Sequence, residues 1–226
     1  MPKKESETKL RKEFDRQVEN LIRKGYPKVI GVTAAEFTKH LKPLKERIGE
    51  LAIQESEAEG GRIPFVIVIK SDWVAANVAM PLVEFGGTKG FVGMHPVEPD
   101  SFEPIEGLQI PDGMAYLLVD IDTGKGTLNI TPNDALKMIE KENRFPLTID
   151  EGVALVTHHP EILRNSNCFS LLGSRRGDRR VTALWISRGK PRLGWCWAGN
   201  PHTWLGSASC GSRVGLGARG GTVRTR

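Results

Sequence analysis

Cys196, His202 and Cys210 lie within a fifteen-residue span, with Cys168 upstream as a possible fourth ligand. Thiolate and imidazole are zinc ligands, so Cys196, His202 and Cys210 form a candidate metal set with zinc as its ion. The spacing is C-x5-H-x7-C, without the C-x2-C knuckle of a zinc finger, so buried structural thiols are the plainer reading. Without a metal, Cys196 and His202 are the candidate catalytic pair, for nucleophilic or acid–base work. The segment Gly173-Ser-Arg-Arg-Gly-Asp-Arg-Arg180 sets four arginines around two glycines. Such a loop offers guanidinium forks and backbone N–H groups to phosphate or carboxylate, making Arg175, Arg176, Arg179 and Arg180 candidate anion ligands. Four of the five tryptophans (Trp185, Trp195, Trp197 and Trp204) follow within thirty residues. Trp195 and Trp197 share a face if their segment is a strand, where they would hold a planar or apolar part of a ligand or form a core wall.

The charge distribution points to the same region. Residues 164–226 hold twelve Arg and Lys against one acid, Asp178, a net of +11. Residues 1–163 hold 20 basic and 26 acidic side chains, a net of −6. A basic half of this kind meets an anionic partner or docks on its own acidic half.

Other leads are weaker. Asp120-Ile-Asp-Thr123 is one residue out of register with a D-x-D-x-T phosphotransferase motif. Gly124-Lys-Gly126 lacks the upstream glycine and the following Ser/Thr of a P-loop. His158 and His159 stand near Glu151 on one helix, but histidines at a helix C-terminus are favoured by the dipole alone.

The elements that must position these residues follow from periodicity. Leu10, Phe14, Val18, Leu21 and Ile22 make one apolar stripe over Lys9 to Arg23, ended by Gly25-Tyr-Pro27. Thr33-Ala-Ala-Glu36 is a capping box opening a second helix that the sequence expects to break at Pro43. Pro64 to Ile69 and Met114 to Ile121 read as buried strands, with Thr127 to Ile130 as the hairpin partner of the second. His95 to Gly113, with four prolines and five acids, reads as a long surface loop. Thr131-Pro132 opens a helix over Asn133–Glu142, and Thr148-Ile-Asp-Glu151 boxes another that runs to His159. Val181 to Ile186 and Arg192 to Trp197 alternate as strands about an Arg188-Gly-Lys-Pro191 turn.

The fold expected is α+β: an N-terminal helical pair packed on a mixed or antiparallel sheet, with C-terminal strands. Residues 1–213 form one domain, and 214–226 a Gly/Arg-rich flexible tail. With 39% hydrophobic and 26% charged residues the composition is globular. No apolar run approaches the roughly 20 residues that span a bilayer, and the charged N-terminus lacks a signal-peptide core. A soluble cytoplasmic protein with no membrane partner is expected, its thiols kept reduced.

Several blocks resemble a family of uncharacterised bacterial proteins defined by a domain of unknown function. They include Gly173 to Arg180, Ala183-Leu-Trp-Ile-Ser187 and Leu193-Gly-Trp-Cys-Trp-Ala-Gly-Asn-Pro-His-Thr-Trp-Leu-Gly-Ser-Ala-Ser-Cys-Gly211. Asp15-Arg-Gln-Val18, Gly25-Tyr-Pro27, Tyr116 to Asp120, Leu128 to Pro132 and Leu147 to Leu155 continue the likeness, which runs from roughly Phe14 to Arg213. It implies a single structural unit and assigns no activity, ligand or catalytic residue.

Three functions from different classes fit these residues. The leading one is a small anionic-ligand site, binding or catalytic, built from 168–213. The second is a nucleic-acid-binding protein using the basic C-terminal portion, with affinity that falls steeply with salt. The third is a structural or interaction role in which the basic segment docks on the acidic one or on a partner.

Overall fold

The computed structural model describes residues 2–51 and 62–216. The N-terminal stripe forms α1 (Pro2–Arg23), which is followed by the short α2 (Tyr26–Ile30) and by α3 (Ala34–Glu46). The Thr33–Glu36 capping box is present in both directions. Pro43 does not break α3, which runs on to Glu46 and into a 3-10 turn at Arg47–Glu50. Phe37, Leu41, Leu44 and Ile48 thus stay on one buried face.

Strand β1 (Ile63–Ile69) leads to the short α4 (Ala76–Ala79), then to a small hairpin of β2 (Glu84–Phe85) and β3 (Thr88–Lys89), and to β4 (Phe91–Val92). The Pro-rich stretch is less of a loop than its composition suggests: Val97 and Phe102 are buried, and β5 (Glu103–Pro104) pairs with β9 (Ser174–Arg175). The long β6 (Ala115–Asp122) comes next. Its expected hairpin partner does not form. Gly124 takes a left-handed φ of 81°, and Lys125–Thr127 coil into a 3-10 turn. Gly124 packs so tightly on Gly206 that a Cβ at either would clash with the other's backbone or its neighbour's.

The remaining elements are α5 (Pro132–Lys141), β7 (Phe145–Pro146), α6 (Ile149–His158), β8 (Cys168–Leu171), β10 (Arg180–Ser187), β11 (Lys190–Trp197), β12 (Leu205–Ser207) and β13 (Ser209–Val214). The Thr131 cap and the Thr148–Glu151 capping box are both formed. Val214 belongs to β13, so ordered chain extends past the expected tail boundary; residues 217–226 of that tail lie outside the described residues.

The first sheet is antiparallel, in the order β1-β6-β13-β7; the second is mixed, in the order β12-β8-β10-β11-β4. Helix α6 lies between them. It packs on β1, and Gly152 abuts Leu171 of β8 so closely that a Cβ there would sit 2.4 Å from the leucine side chain. Such a helix needs apolar residues all round, and Ile149 and every residue from Glu151 to His158 are buried.

The edge of β1 shows how buried polar groups are spent on the fold. Gln17 of α1 donates to the Phe65 carbonyl (3.0 Å) and accepts from the Ile67 N–H (2.8 Å). His158 Nε2 donates to the Ile67 carbonyl at 3.1 Å, and its Nδ1 faces the Asn20 amide at 3.4 Å. These side chains satisfy the free hydrogen-bonding edge of a buried strand. Burial pushes the His158 pKa down to about 3, so the ring is neutral.

Candidate functional site

The β10–β11 hairpin organises the C-terminal region. Its two-residue turn, Arg188-Gly189, has φ of 52° and 75°, the type I′ geometry whose twist suits a tight hairpin. The register then sets Arg180 opposite Trp197, Thr182 opposite Trp195, Val181 opposite Cys196 and Trp185 opposite Arg192. Opposed residues share a face, so the hairpin divides the candidate side chains between two sides of the sheet.

The inner face carries Phe169, Leu171, Leu184 and Leu193 into the main core. At its far end stand Arg180, Trp195 and Trp197. The Arg180 guanidinium lies 4.7 Å from the Trp195 ring centroid and 5.1 Å from that of Trp197; the two rings meet edge-to-face at 4.9 Å. Asp178 binds Arg180 Nη1 at 2.6 Å, and Arg176 Nε lies 3.2 Å from the same carboxylate oxygen. Trp195 Nε1 donates to the Met94 carbonyl at 2.8 Å. The aromatic faces expected to stack a ligand are therefore already stacked on Arg180, and one carboxylate serves two of the four arginines. Arg179 is exposed and joins this cluster only through its carbonyl, which accepts from the Ala198 N–H. Arg175, on β9, has no carboxylate partner among the described residues, and burial lowers its pKa.

The metal set does not assemble. Among the described residues no three His, Cys, Asp or Glu side chains group to hold an ion. Cys210 sits on β13 of the first sheet, fully buried, its pKa pushed up to about 12 by burial. Cys196 is on the second sheet, packed against α5 and 3.9 Å from Ser170 Oγ; burial raises it to about 11. Cys168 donates to the Arg164 carbonyl at 3.1 Å and is also raised by burial. A thiol at pKa 11 is ionised on the order of one part in ten thousand at neutral pH, so no sulfur here is poised as a nucleophile. His202 lies beside Trp204, with centroids 5.2 Å apart and planes tilted by 35°. Among the described residues no hydrogen bond joins it to Cys196, so the expected catalytic pair is not brought together.

The outer face holds a constellation that the residue types alone did not reveal. Helix α5 covers the Val181–Cys196 end of this face. Beyond it runs a row of half-buried side chains: Phe91, Arg192, Trp185, Trp204 and His202. Arg192 Cζ lies 5.9 Å from the Phe91 centroid and 4.9 Å from that of Trp185; Trp185 and Trp204 are 6.4 Å apart. Gly194 makes this possible, because the Trp185 ring lies across it where a Cβ would meet the indole at 2.2 Å. Arg192 donates Nε (3.1 Å) and Nη2 (2.5 Å) to the Gly93 carbonyl, which leaves three of its five N–H donors without a partner among the described residues. Lys190 shares this face, Arg188 caps its tip, and Asp178, the one acid between 164 and 213, is held on the opposite face. The hairpin register could have given the Arg192–Trp185 pair from sequence. Phe91 arrives through a parallel pairing of β4 with β11, which no local signal announces.

A third cluster is buried in the first sheet. Glu151, at 0% exposure, accepts from Arg213 Nε (2.5 Å) and Nη2 (2.8 Å), from the Tyr116 hydroxyl (2.8 Å) and from the Thr148 N–H (2.7 Å). Beside it Arg144 pairs with Asp120 and donates to Ser209 Oγ at 2.9 Å. Burial holds the Tyr116 pKa well above its usual value, with Glu151 adding to the shift. Three groups thus make four hydrogen bonds to Glu151 from within the protein, which fits a structural lock rather than a reactive centre.

Two packed sheets around a central helix, with a cation–aromatic row on the open face of one, define an α+β protein whose exposed chemistry is concentrated on the second sheet. The chain belongs to the family of unknown function DUF5701, whose model matches residues 20–216. No curated protein and no solved structure matches it. No helix among the described residues is long and apolar enough to cross a membrane.

Proposed function

We propose that the protein binds single-stranded nucleic acid across the outer face of its second sheet. One observation carries this reading: the row Phe91–Arg192–Trp185–Trp204–His202, four rings and a guanidinium with successive spacings of 5.9, 4.9, 6.4 and 5.2 Å. A half-exposed row of rings, whose planes tilt by 59° and 35° along it, suits an extended ligand whose planar groups meet them in turn. A small molecule would need a concave pocket to bury most of its surface. Arg188, Lys190 and the free donors of Arg192 supply positive charge for the phosphates beside the stacked bases. Titrating the protein with oligothymidylate or oligouridylate should quench tryptophan fluorescence, with affinity that falls as salt rises. Trp204→Ala should weaken binding by about 1–3 kcal/mol. Salt-independent binding, or wild-type affinity in Trp204→Ala, would discard the reading.

A second reading keeps the small-anion site at the Arg175–Arg180 loop. It is favoured by the half-buried Arg175, which has no carboxylate partner among the described residues, and by Arg180 Nε, a buried nitrogen with no acceptor among them. Inorganic phosphate should then perturb the exposed Trp197 with no polynucleotide present. No response up to millimolar phosphate would remove it.

A further inference from the structure

The outer-face row ends at Phe91, and the chain just before it forms one wall of an open groove. This groove, about 630 Å³, runs between the C-terminal turns of α1 and α6 and the β2–β3 hairpin. Its volume falls within the roughly 300–1,000 Å³ of pockets that enclose ligand-sized groups. Arg16, Arg23, Lys24 and Lys89 line it against one acid, Glu84. Arg16 is neutralised by Glu13, which accepts from its Nε at 2.7 Å and its Nη2 at 2.6 Å. The other three cations have no carboxylate within ion-pairing distance among the described residues. Arg23 bonds only the Asn20 amide oxygen (2.9 Å), and Lys24 donates to the Leu82 carbonyl (2.9 Å). Glu84 stands across from Lys89 in the β2–β3 pair and its charge reaches Lys24. The cations outnumber it, and a concave wall of net positive charge concentrates anions more strongly than a flat one.

The groove and the row are joined by the same short hairpin. Gly86 and Gly87, with φ of 57° and 76°, turn the chain at the groove rim; Lys89 then follows, two residues from Phe91. Thr88 Oγ1 donates to the Gly189 carbonyl at 2.9 Å, fastening this hairpin to the β10–β11 turn that carries Arg188 and Lys190. Cations therefore continue from Lys190 and Arg188, across Lys89, to Lys24 and Arg23.

We infer that the groove receives the phosphodiester backbone of the strand whose bases stack on the outer face, extending the footprint past Phe91. This rests on the nucleic-acid reading above and adds to it a length requirement and a direction. A short oligonucleotide fills the row alone; a longer one also enters the groove.

Oligothymidylates of about 5 and about 15 nucleotides distinguish the two, since known single-strand sites span roughly 4–16 nucleotides. The full chain and its Arg23→Glu/Lys89→Glu variant are titrated with each at several salt concentrations. Both positions are exposed, and a melting curve confirms that the variant folds. Arg23→Gln/Lys89→Gln serves as the milder version. The variant should bind the long oligomer about tenfold more weakly, with the slope of log affinity against log salt reduced by roughly 1, and the short one unchanged. Equal losses for both lengths, or no loss for either, would overturn the groove while leaving the row intact. A wild-type chain that binds neither oligomer would overturn the row, and the groove with it.

Discussion

Arg213 and Arg192 lie on neighbouring parts of the same chain, yet the fold gives them opposite settings. Arg213 is buried in the first sheet, both its fork nitrogens on the carboxylate of a fully buried Glu151. Burial alone would lower its pKa, but the Glu151 charge outweighs that and raises it. Arg192 instead lies half-exposed between two aromatic rings, anchored by one carbonyl and with donors to spare. The first setting ties the guanidinium to a buried counter-charge and to the Pro146 carbonyl, closed off from solvent. The second holds the group in place while leaving it available. What separates a structural arginine from a ligand-facing one here is the partner: a carboxylate closes the site, whereas an aromatic face leaves it open.

Stability should be most sensitive in the first region. Arg213→Ala would leave the Glu151 carboxylate buried without its counter-charge, at a cost of about 3–5 kcal/mol. In a chain of this size each kcal/mol shifts the melting temperature by roughly 2–4 °C, so a fall of the order of 10 °C is expected. An unchanged melting curve would erase the contrast between the two settings.

A smaller effect tests the buried half through pH. Burial pushes the His158 pKa down to about 3 in the fold, against the usual 6.5 of a histidine in the unfolded chain. Between those values the unfolded chain takes up a proton that the fold does not, so stability falls as pH drops below about 6.5. From pH 7 to pH 5 the loss attributable to this residue is about 2 kcal/mol. A His158→Gln chain, whose amide can still serve Ile67 and Asn20, should lose that part of the slope in denaturant unfolding at the two pH values. Parallel slopes for the two chains would show that His158 is not held neutral.

The smallest change sharpens the comparison from the other side. Arg192→Lys keeps the charge but loses the planar stack, and should weaken oligonucleotide binding by about 1 kcal/mol with no measurable change in melting temperature. A large loss of stability would place Arg192 with Arg213.

Much of the scaffold was legible because its signals are local. The capping boxes at Thr33 and Thr148 and the Thr131 cap are each written in four consecutive residues, and the β10–β11 hairpin in eighteen. The partner of β6 was not. Thr127 to Ile130 has strand-like residues at hairpin distance, but the strand that pairs there is Ser209–Val214, a small-residue segment nearly ninety positions on. Its place in the sheet is fixed by Arg213 meeting Glu151 and by Cys210 entering the core, contacts that no window of sequence contains. The site divides in the same way. The Arg/Trp richness of 168–213 marked the right segment. The alternation of β11, however, sends Trp195 and Trp197 to one face and Arg192 and Cys196 to the other, and this splits the set read as a unit. The cysteines and His202, close in sequence, are distributed over two sheets by the same folding.

The most direct test of the account is a proton–nitrogen spectrum of the indole N–H groups of the five tryptophans, recorded as a single-stranded oligonucleotide is added. The Trp185 and Trp204 signals should shift together with a common midpoint, while Trp73, and Trp195 with its hydrogen bond to Met94, stay in place. Five unmoved signals, or shifts confined to Trp195 and Trp197, would contradict it: the first would leave the outer face without its ligand, and the second would return the site to the Arg180 cluster.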